Sequence, residues 1–383
     1  MSAPVLSSST RVRRTPFSQR IEALGVSCYT IYNHMLLPAV FRSLEEDYAH
    51  LCRAVQLWDV SCERQVEIKG PDAARLTQLM TCRDLSKARQ GRCFYAPLVD
   101  ERGGLVNDPI ILKLADDRFW LSIADSDVLL WAKGLAYGLG LAVEVFEPDV
   151  SPLAVQGPKA DDLMARVFGE AVRELKFFGF AWFDFDGHRL LVARSGWSKQ
   201  GGFEIYLDDS SRGAALWDRL WDAGQDLDVG PGCPNLIERI EGGLFSYGGD
   251  MDLSHTPFDA GLADYVDLDA PIDFIGRDAL EKVRRDGPRW QMRGLVFEGD
   301  CPAMTAHWPL WSEQGAAIGR ASAACWSPRF DCALGFAMVA REFADDGQVV
   351  KLETPAGTRN AVVRNLPFDA DRLLGKPRRP HDD

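Results

Sequence analysis

Val66-Glu67-Ile68-Lys69-Gly70-Pro71-Asp72-Ala73-Ala74-Arg75-Leu76 recurs in kind at Leu153-Ala154-Val155-Gln156-Gly157-Pro158-Lys159-Ala160-Asp161-Asp162-Leu163. Both copies run from a strand-like segment through Gly-Pro into a helical one. Proline is tolerated at a helix start because the first N–H groups there have no partner within the helix. A further strand-like segment follows each copy, Phe119–Ile123 after the first and Arg189–Ala193 after the second. The repetition predicts two related α+β units, and a cleft between packed units is a favoured ligand site.

Outward from this repeat, Ser43–Val55 places Leu44, Tyr48, Leu51 and Val55 at helical spacing behind Ser43 as N-cap. Asn235–Tyr247 sets Leu236, Ile240 and Leu244 in helical register, and a close backbone contact would account for the adjacent Gly242 and Gly243. Arg284–Arg293 is charged, carries Gly-Pro and reads as a linker. Beyond it, Arg293–Phe297, Cys332–Val339, Val349–Leu352 and Arg359–Val363 are short strand-like runs separated by Gly, Pro and Asp. Residues 1–14 are Ser- and Arg-rich without an apolar period and read as a disordered lead, with folding expected from Thr15. The expected organisation is therefore α+β: residues 15–284 as two α+β units, and residues 285–383 as a C-terminal antiparallel β domain.

A chain of 383 residues exceeds the usual size of one core. Its 56 acidic against 43 basic residues, a net charge of −13, argue against nucleic acid as a partner. The basic runs Arg11, Arg13, Arg14 and Lys376, Arg378, Arg379 lie near the ends and read as solvated tails. No run is apolar enough for a membrane span and no signal-peptide core begins the chain, so a soluble cytoplasmic protein is expected. Nine cysteines without CxxC spacing and six scattered histidines indicate reduced thiols and no metal site. GxGxxG and GxxxxGK[ST] are missing, which removes the usual support for flavin, nicotinamide or ATP and favours a redox-neutral reaction.

Ser195-Gly196-Trp197-Ser198-Lys199-Gln200-Gly201-Gly202-Phe203-Glu204-Ile205-Tyr206 reads as a binding loop leading into a half-buried strand. Trp197 and Tyr206 offer π-faces to a cation, and Glu204 can accept two hydrogen bonds from a planar N–H pair. That equipment suits an onium substrate and a pterin-like ring; the alternative is a glycine turn beside an ordinary aromatic pair. Asp108, in Gly103-Gly104-Leu105-Val106-Asn107-Asp108-Pro109, sits between apolar runs and either pairs structurally or steadies a ligand amine. Tyr95 offers a flat apolar face with a polar tip, or is a core tyrosine. Tyr32, in Tyr29-Thr30-Ile31-Tyr32-Asn33-His34-Met35, and Trp58-Asp59-Val60-Ser61 add aromatic and polar density upstream.

Four ordered motifs resemble the folate-binding family of the glycine cleavage T-protein: Trp58-Asp59-Val60-Ser61 with Gly70, Gly103–Asp108, Arg194-Ser195-Gly196-Trp197, and Gly202-Phe203-Glu204-Ile205. The resemblance implies a three-domain cloverleaf with tetrahydrofolate at its centre. It places the Asp108 carboxylate near the reacting folate nitrogen and Glu204 on the pterin, with Tyr95 beside them. Where the T-protein has Gly-Tyr-Thr-Gly-Glu-Asp-Gly, this chain has Gly196–Gly202, which exchanges two acidic residues for a larger aromatic and a cation. That departure implies a small methylated zwitterion as substrate, held by Trp197, Tyr206, Lys199 and Tyr32.

The runs Tyr29–Pro38, Leu79–Asp84, Ile123–Asp127, Ser195–Gly202 and Gly230–Asn235 look like the sulfonium-demethylating branch of the family. They imply methyl transfer from dimethylsulfoniopropionate to N5 of tetrahydrofolate. Demethylation of a betaine or an aryl methyl ether, and folate binding without catalysis, stay open at this level. So does association into a homo-oligomer.

Overall fold

The computed structural model describes residues 9–368. A lead-in of α1 (Ser18–Ala23), the hairpin β1 (Cys28–Tyr32) and β2 (Met35–Val40), α2 (Leu44–Leu51) and β3 (Val55–Asp59) precedes the repeated units. The first unit holds β4 (Gln65–Lys69), α3 (Ala73–Met80), β5 (Cys93–Tyr95), β6 (Leu98–Val99), β7 (Leu105–Asn107), β8 (Ile110–Ala115), β9 (Arg118–Ser122), α4 (Val128–Gly138) and β10 (Glu144–Phe146). The second holds β11 (Ser151–Gln156), α5 (Ala160–Phe168), β12 (Phe180–Phe185), β13 (His188–Ala193), β14 (Gly202–Leu207), α6 (Gly213–Ala223) and β15 (Val229–Gly232). Then come α7 (Leu236–Gly242), α8 (Arg277–Asp286) and six strands: β16 (Trp290–Phe297), β17 (Trp308–Trp311), β18 (Ala317–Ser327), β19 (Cys332–Ala340), β20 (Val349–Thr354) and β21 (Gly357–Arg364).

The two units share one sheet plan. The first orders its strands β10-β4-β9-β8-β5, and the second β3-β11-β14-β13-β12, with β15 added outside β3. Each unit takes its flanking strand from the chain just before the other: β3 precedes β4 yet pairs with β11, and β10 precedes β11 yet pairs with β4. The strand–Gly-Pro–helix step is the same in both. Gly70 and Gly157 have φ of 129° and 122°, and a Cβ there would lie 2.7 Å from the Ala142 carbonyl and 2.4 Å from that of Ala54. Only glycine allows this approach. Pro71 and Pro158 fall in the turn ahead of the helix, which starts two residues later.

The sheets pack face to face. Cys93, Leu112 and Trp120 of the first meet Phe180, Leu191, Ala193 and Tyr206 of the second in one buried cluster. Helices cover the outer faces: α3 and α4 pack on the first sheet, α5 and α6 on the second. Alternation along β14 separates the two directions, since Phe203, Ile205 and Leu207 enter the helix-side core while Glu204 and Tyr206 face the other sheet.

The C-terminal strands close a barrel in the order β16-β19-β18-β17-β20-β21. Two of them, β17 and β18, were not among the expected runs. The stretch read as a linker is structured instead: its first residues end α8, whose apolar Leu280 is buried, and Trp290 already begins β16. Ser43 caps α2 by accepting from the Glu46 N–H, and the helix stops at Leu51 so that Val55 can enter β3. In α7, Gly243 ends the helix with φ of 68°, while Gly242 lies under the Lys199 stem, where a Cβ would be 2.9 Å from Cγ.

Of the expected lead, residues 1–8 lie outside the described residues, as do Lys376, Arg378 and Arg379. Structure begins ahead of Thr15, because the Arg13 N–H bonds the His34 carbonyl at 3.0 Å, its guanidinium meets Glu147 at 2.6 Å, and Arg14 meets Glu22 at 2.7 Å. Among the described residues no helix is long and apolar enough to cross a membrane, and no group of acidic, His or Cys residues is arranged to hold a metal ion.

Candidate active site

Three chain segments meet around the carbonyl of Ala124. Asn107, fully buried, donates to it at 3.0 Å and receives the Ala124 N–H at 3.0 Å. Asn33, at the tip of the β1–β2 hairpin, donates to the same carbonyl at 2.9 Å and to the Cys62 carbonyl at 2.9 Å. The tip residues Asn33 and His34 have φ of 49° and 63°, a turn that tolerates asparagine. One hydrogen-bonded knot thereby fixes the residues next in sequence: Tyr32 beside Asn33, Glu63 beside Cys62 and Asp108 beside Asn107. Asn33 and Asn107 are the supports of the residues adjoining them.

Asp108 is half-buried and accepts the Tyr95 hydroxyl at 3.0 Å. Burial pushes its carboxyl up to about 7, against the opposing effect of the Tyr95 bond. Tyr95 sits edge-on to Tyr265 with ring centroids 4.8 Å apart, and Arg83 grips its carbonyl at 2.6 Å. Burial, with Asp108 next, drives the phenols of Tyr32 and Tyr95 above their ordinary range, so both stay neutral donors.

Glu204 is buried, with the Ser195 hydroxyl donating to it. Burial raises its carboxyl, and the Ser195 and Tyr206 hydroxyls work against that rise. Glu63 on the turn between β3 and β4 is raised well above the carboxylate range, first by burial, then by Glu204 and by Asp108. Three carboxyl groups therefore sit within electrostatic reach of one another, and among the described residues no Lys or Arg forms a salt bridge with any of them. Sequence reading missed Glu63; as one charge in Ser61-Cys62-Glu63-Arg64 it carries no pattern that separates it from a solvated turn.

The Ser195–Gly201 loop is tied down from two sides. Gln156 donates to the Ser195 carbonyl at 3.1 Å and accepts the Ser198 hydroxyl at 2.8 Å. Glu238 of α7 accepts the Lys199 N–H at 2.6 Å and the Gln200 amide at 3.1 Å. Trp197 is half-buried with the Arg239 guanidinium 5.9 Å from its ring, and Arg239 is itself paired with the buried Asp250 at 2.7 Å. Lys199 is exposed, with its stem over Gly242 and no salt bridge among the described residues.

Tyr206 requires a correction. It is 1% exposed, its ring packs against Trp120 at 6.3 Å between the sheets, and its hydroxyl is directed toward Glu204 and Ser122. It has no open face for a cation, and it does not join Trp197 in a cage. Trp58 is likewise core, its indole N–H held by Gln56 at 2.8 Å.

With the fold and these residues placed, comparison with known proteins is decisive at the level of family. The GCVT N-terminal domain matches residues 17–270, and the glycine cleavage T-protein C-terminal barrel domain matches residues 291–369. The chain belongs to the glycine cleavage T-protein family. Within that T-protein family it is 52% identical to the dimethylsulfoniopropionate demethylase of Ruegeria pomeroyi, covering 93% of this chain and 97% of the relative. It is 30% identical to the aminomethyltransferase of Chlorobaculum tepidum, covering 94% and 100%. The crystal structure of the glycine cleavage system aminomethyltransferase T from Bartonella henselae superposes with a TM-score of 0.83 at 24% identity, over 93% of this chain and 97% of that one, which establishes the T-protein fold.

Proposed function

We propose that the protein is a redox-neutral, tetrahydrofolate-dependent demethylase of dimethylsulfoniopropionate, yielding methylmercaptopropionate and 5-methyltetrahydrofolate. The observation that carries this reading is the 52% identity to a demethylase of that substrate across nearly all of both chains. The free state of all nine cysteines suits work in the reducing cytoplasm. In this reading residues 15–284 bind both substrates, and the C-terminal domain that begins at residue 285 carries the barrel of β16–β21.

The residues present fit a folate. Glu204 holds only hydroxyl partners and keeps acceptor capacity for a planar N–H pair, and Tyr95 presents a ring beside Asp108. When bound, tetrahydrofolate supplies the N5 lone pair that takes the methyl group, while the S–CH3 bonding pair stays on sulfur and the N5 proton is shed. Asp108 adjoins the position where positive charge grows, and a carboxyl poised at about 7 can steady that charge or receive the proton. Tyr32 and Trp197 flank the donor, and Lys199 takes the donor's own carboxylate. No protein nucleophile is required, because sulfonium is already a good leaving group. Alignment and exclusion of water supply most of the rate.

A panel of methyl donors, comprising dimethylsulfoniopropionate, glycine betaine and an aryl methyl ether, each incubated with tetrahydrofolate, tests the proposal. Formation of 5-methyltetrahydrofolate from the sulfonium alone is expected. Reaction of only a betaine or ether would overturn the substrate, and folate binding without turnover of any donor would leave a non-catalytic folate protein.

A further inference from the structure

We infer that Glu63 is the counter-charge for the donor's sulfonium and thereby the residue that selects a cationic methyl donor; this rests on the demethylase reading above. The placement of Glu63 carries the argument. Its own N–H bonds the Val60 carbonyl at 2.9 Å, and its carbonyl accepts Gln65 at 2.8 Å, so the turn from β3 to β4 is fixed in shape. The preceding Cys62 carbonyl is held by Asn33, in the knot that also positions Tyr32 and Asp108. Glu63 is thereby held next to this knot, and its side chain interacts electrostatically with Glu204, Asp108 and the Tyr32 phenol.

The carboxylate itself is uncommitted. Glu63 is half-buried, and among the described residues it has no hydrogen bond and no salt bridge, while its oxygens stay open to water. Arg64, the cation next to it in sequence, turns instead to Glu147. Its carboxyl neighbours have other work. Asp108 is bonded to Tyr95 and Glu204 to Ser195, whereas Glu63 has nothing but two acidic neighbours to oppose its charge. Desolvated and crowded by two other carboxyl groups, Glu63 is held protonated in the free protein, and an arriving cation favours its ionised form, with the proton released to solvent. A sulfonium lacks N–H donors, so it needs charge and not hydrogen-bond geometry from the protein, which is what a lone carboxylate beside aromatic rings provides.

The direction of charge flow fixes what this residue does to the kinetics. The donor is cationic at sulfur when it binds and neutral at sulfur when the methyl group has left. An anion beside sulfur therefore favours the bound substrate at least as much as the transition state, and it loses its hold on the thioether product. Glu63 should act on KM and on discrimination by charge, in contrast to Asp108, which faces the nitrogen where charge appears.

The test compares wild type with Glu63→Gln, which keeps size and polarity. Calorimetric binding of dimethylsulfoniopropionate and of the uncharged-sulfur thioether product is measured alongside turnover. Expected for E63Q are a rise of roughly tenfold or more in Kd and KM for the sulfonium, thioether binding and kcat within about twofold of wild type, and a melting temperature no lower than that of wild type. Equal weakening of sulfonium and thioether, or no weakening of either, would overturn the assignment. Glu63→Asp, which restores the charge, is expected to recover part of the sulfonium affinity; failure to do so also counts against it. The demethylase reading fails separately, by absence of turnover in wild type, and the two binding measurements still decide the role of Glu63 in that event.

Discussion

The two α+β units have the same strand order but interchange their long and short connections. In the first, β5 to β8 is an excursion over residues 96–109, while β8 to β9 is the two-residue turn Asp116-Asp117. In the second, β12 to β13 is the tight turn Asp186-Gly187, while β13 to β14 opens into the loop 194–201. The framework contacts around these connections are preserved: the Gly70 N–H bonds Asp117 and the Gly157 N–H bonds Gly201, each at 2.9 Å. The first excursion brings Asp108 near Tyr95, and the second brings Trp197 and Lys199. A difference also appears within the strands. Opposite Glu67 in the first unit stands Trp120, and opposite the matching Ala154 in the second stands Glu204. One unit fills that inner position with an apolar ring and the other with a carboxylate. The framework is shared by the two units, and the candidate site residues come from where the units differ.

The sharpest way to break this division of labour is Asp108→Asn. We expect kcat to fall by roughly 10²–10³-fold, with folate still bound. In wild type kcat should rise with pH to a plateau, with a midpoint at about 7, and this dependence should vanish in the variant. The same group leaves a stability signature. Its carboxyl is raised from an ordinary 3.8, so its contribution to folding is intact below that value and lost as pH rises through about 7. D108N should therefore gain on wild type between pH 4 and 8, by roughly 1–3 kcal/mol in denaturant unfolding. A variant with wild-type kcat would remove the first unit's excursion from the chemistry.

Next in size are Gly157→Ala and Gly70→Ala, which probe the shared framework. Each should cost roughly 2–4 kcal/mol by chemical denaturation, with G157A the more severe because its carbonyl neighbour is closer. A large cost at one glycine and none at the other would break the equivalence of the units. Smaller again is Trp197→Ala, expected to raise the sulfonium KM by about 3- to 30-fold while leaving folate affinity within about twofold. Equal loss of both would make Trp197 a structural residue. Smallest is Tyr206→Phe. Because its ring is sealed against Trp120, sulfonium KM should change by less than about threefold, with the effect falling on folate affinity through Glu204.

Much of this organisation was legible in residues alone. The paired Gly-Pro steps pointed to two α+β units, and their glycines prove to share a backbone conformation and a carbonyl neighbour. Four of the six barrel strands stood out by composition; β17 and β18 did not, since Trp308-Pro309-Leu310-Trp311 has a proline in it and the run from Ala317 is rich in alanine. Arg284–Arg293 misled because charge marks an exposed helix end as readily as a linker. Tyr206 misled because strand alternation tells which residues share a face and not whether that face meets solvent or a second sheet.

The sequence by itself determined the periodicities, the repeated turn, the acidic balance and the motifs that mark the family, since each depends on residues close together in the chain. Only the tertiary structure decided that Tyr206 is sealed, that Arg239 lies beside Trp197, and that Asn33, Cys62, Asn107 and Ala124 form one knot. Those contacts join segments tens of residues apart, and burial and electrostatic coupling do not exist until the chain has closed around them. Glu63 shows this most clearly: an ordinary turn residue in the sequence, it becomes a half-buried carboxyl crowded by Glu204 and Asp108 when the hairpin tip docks on its turn.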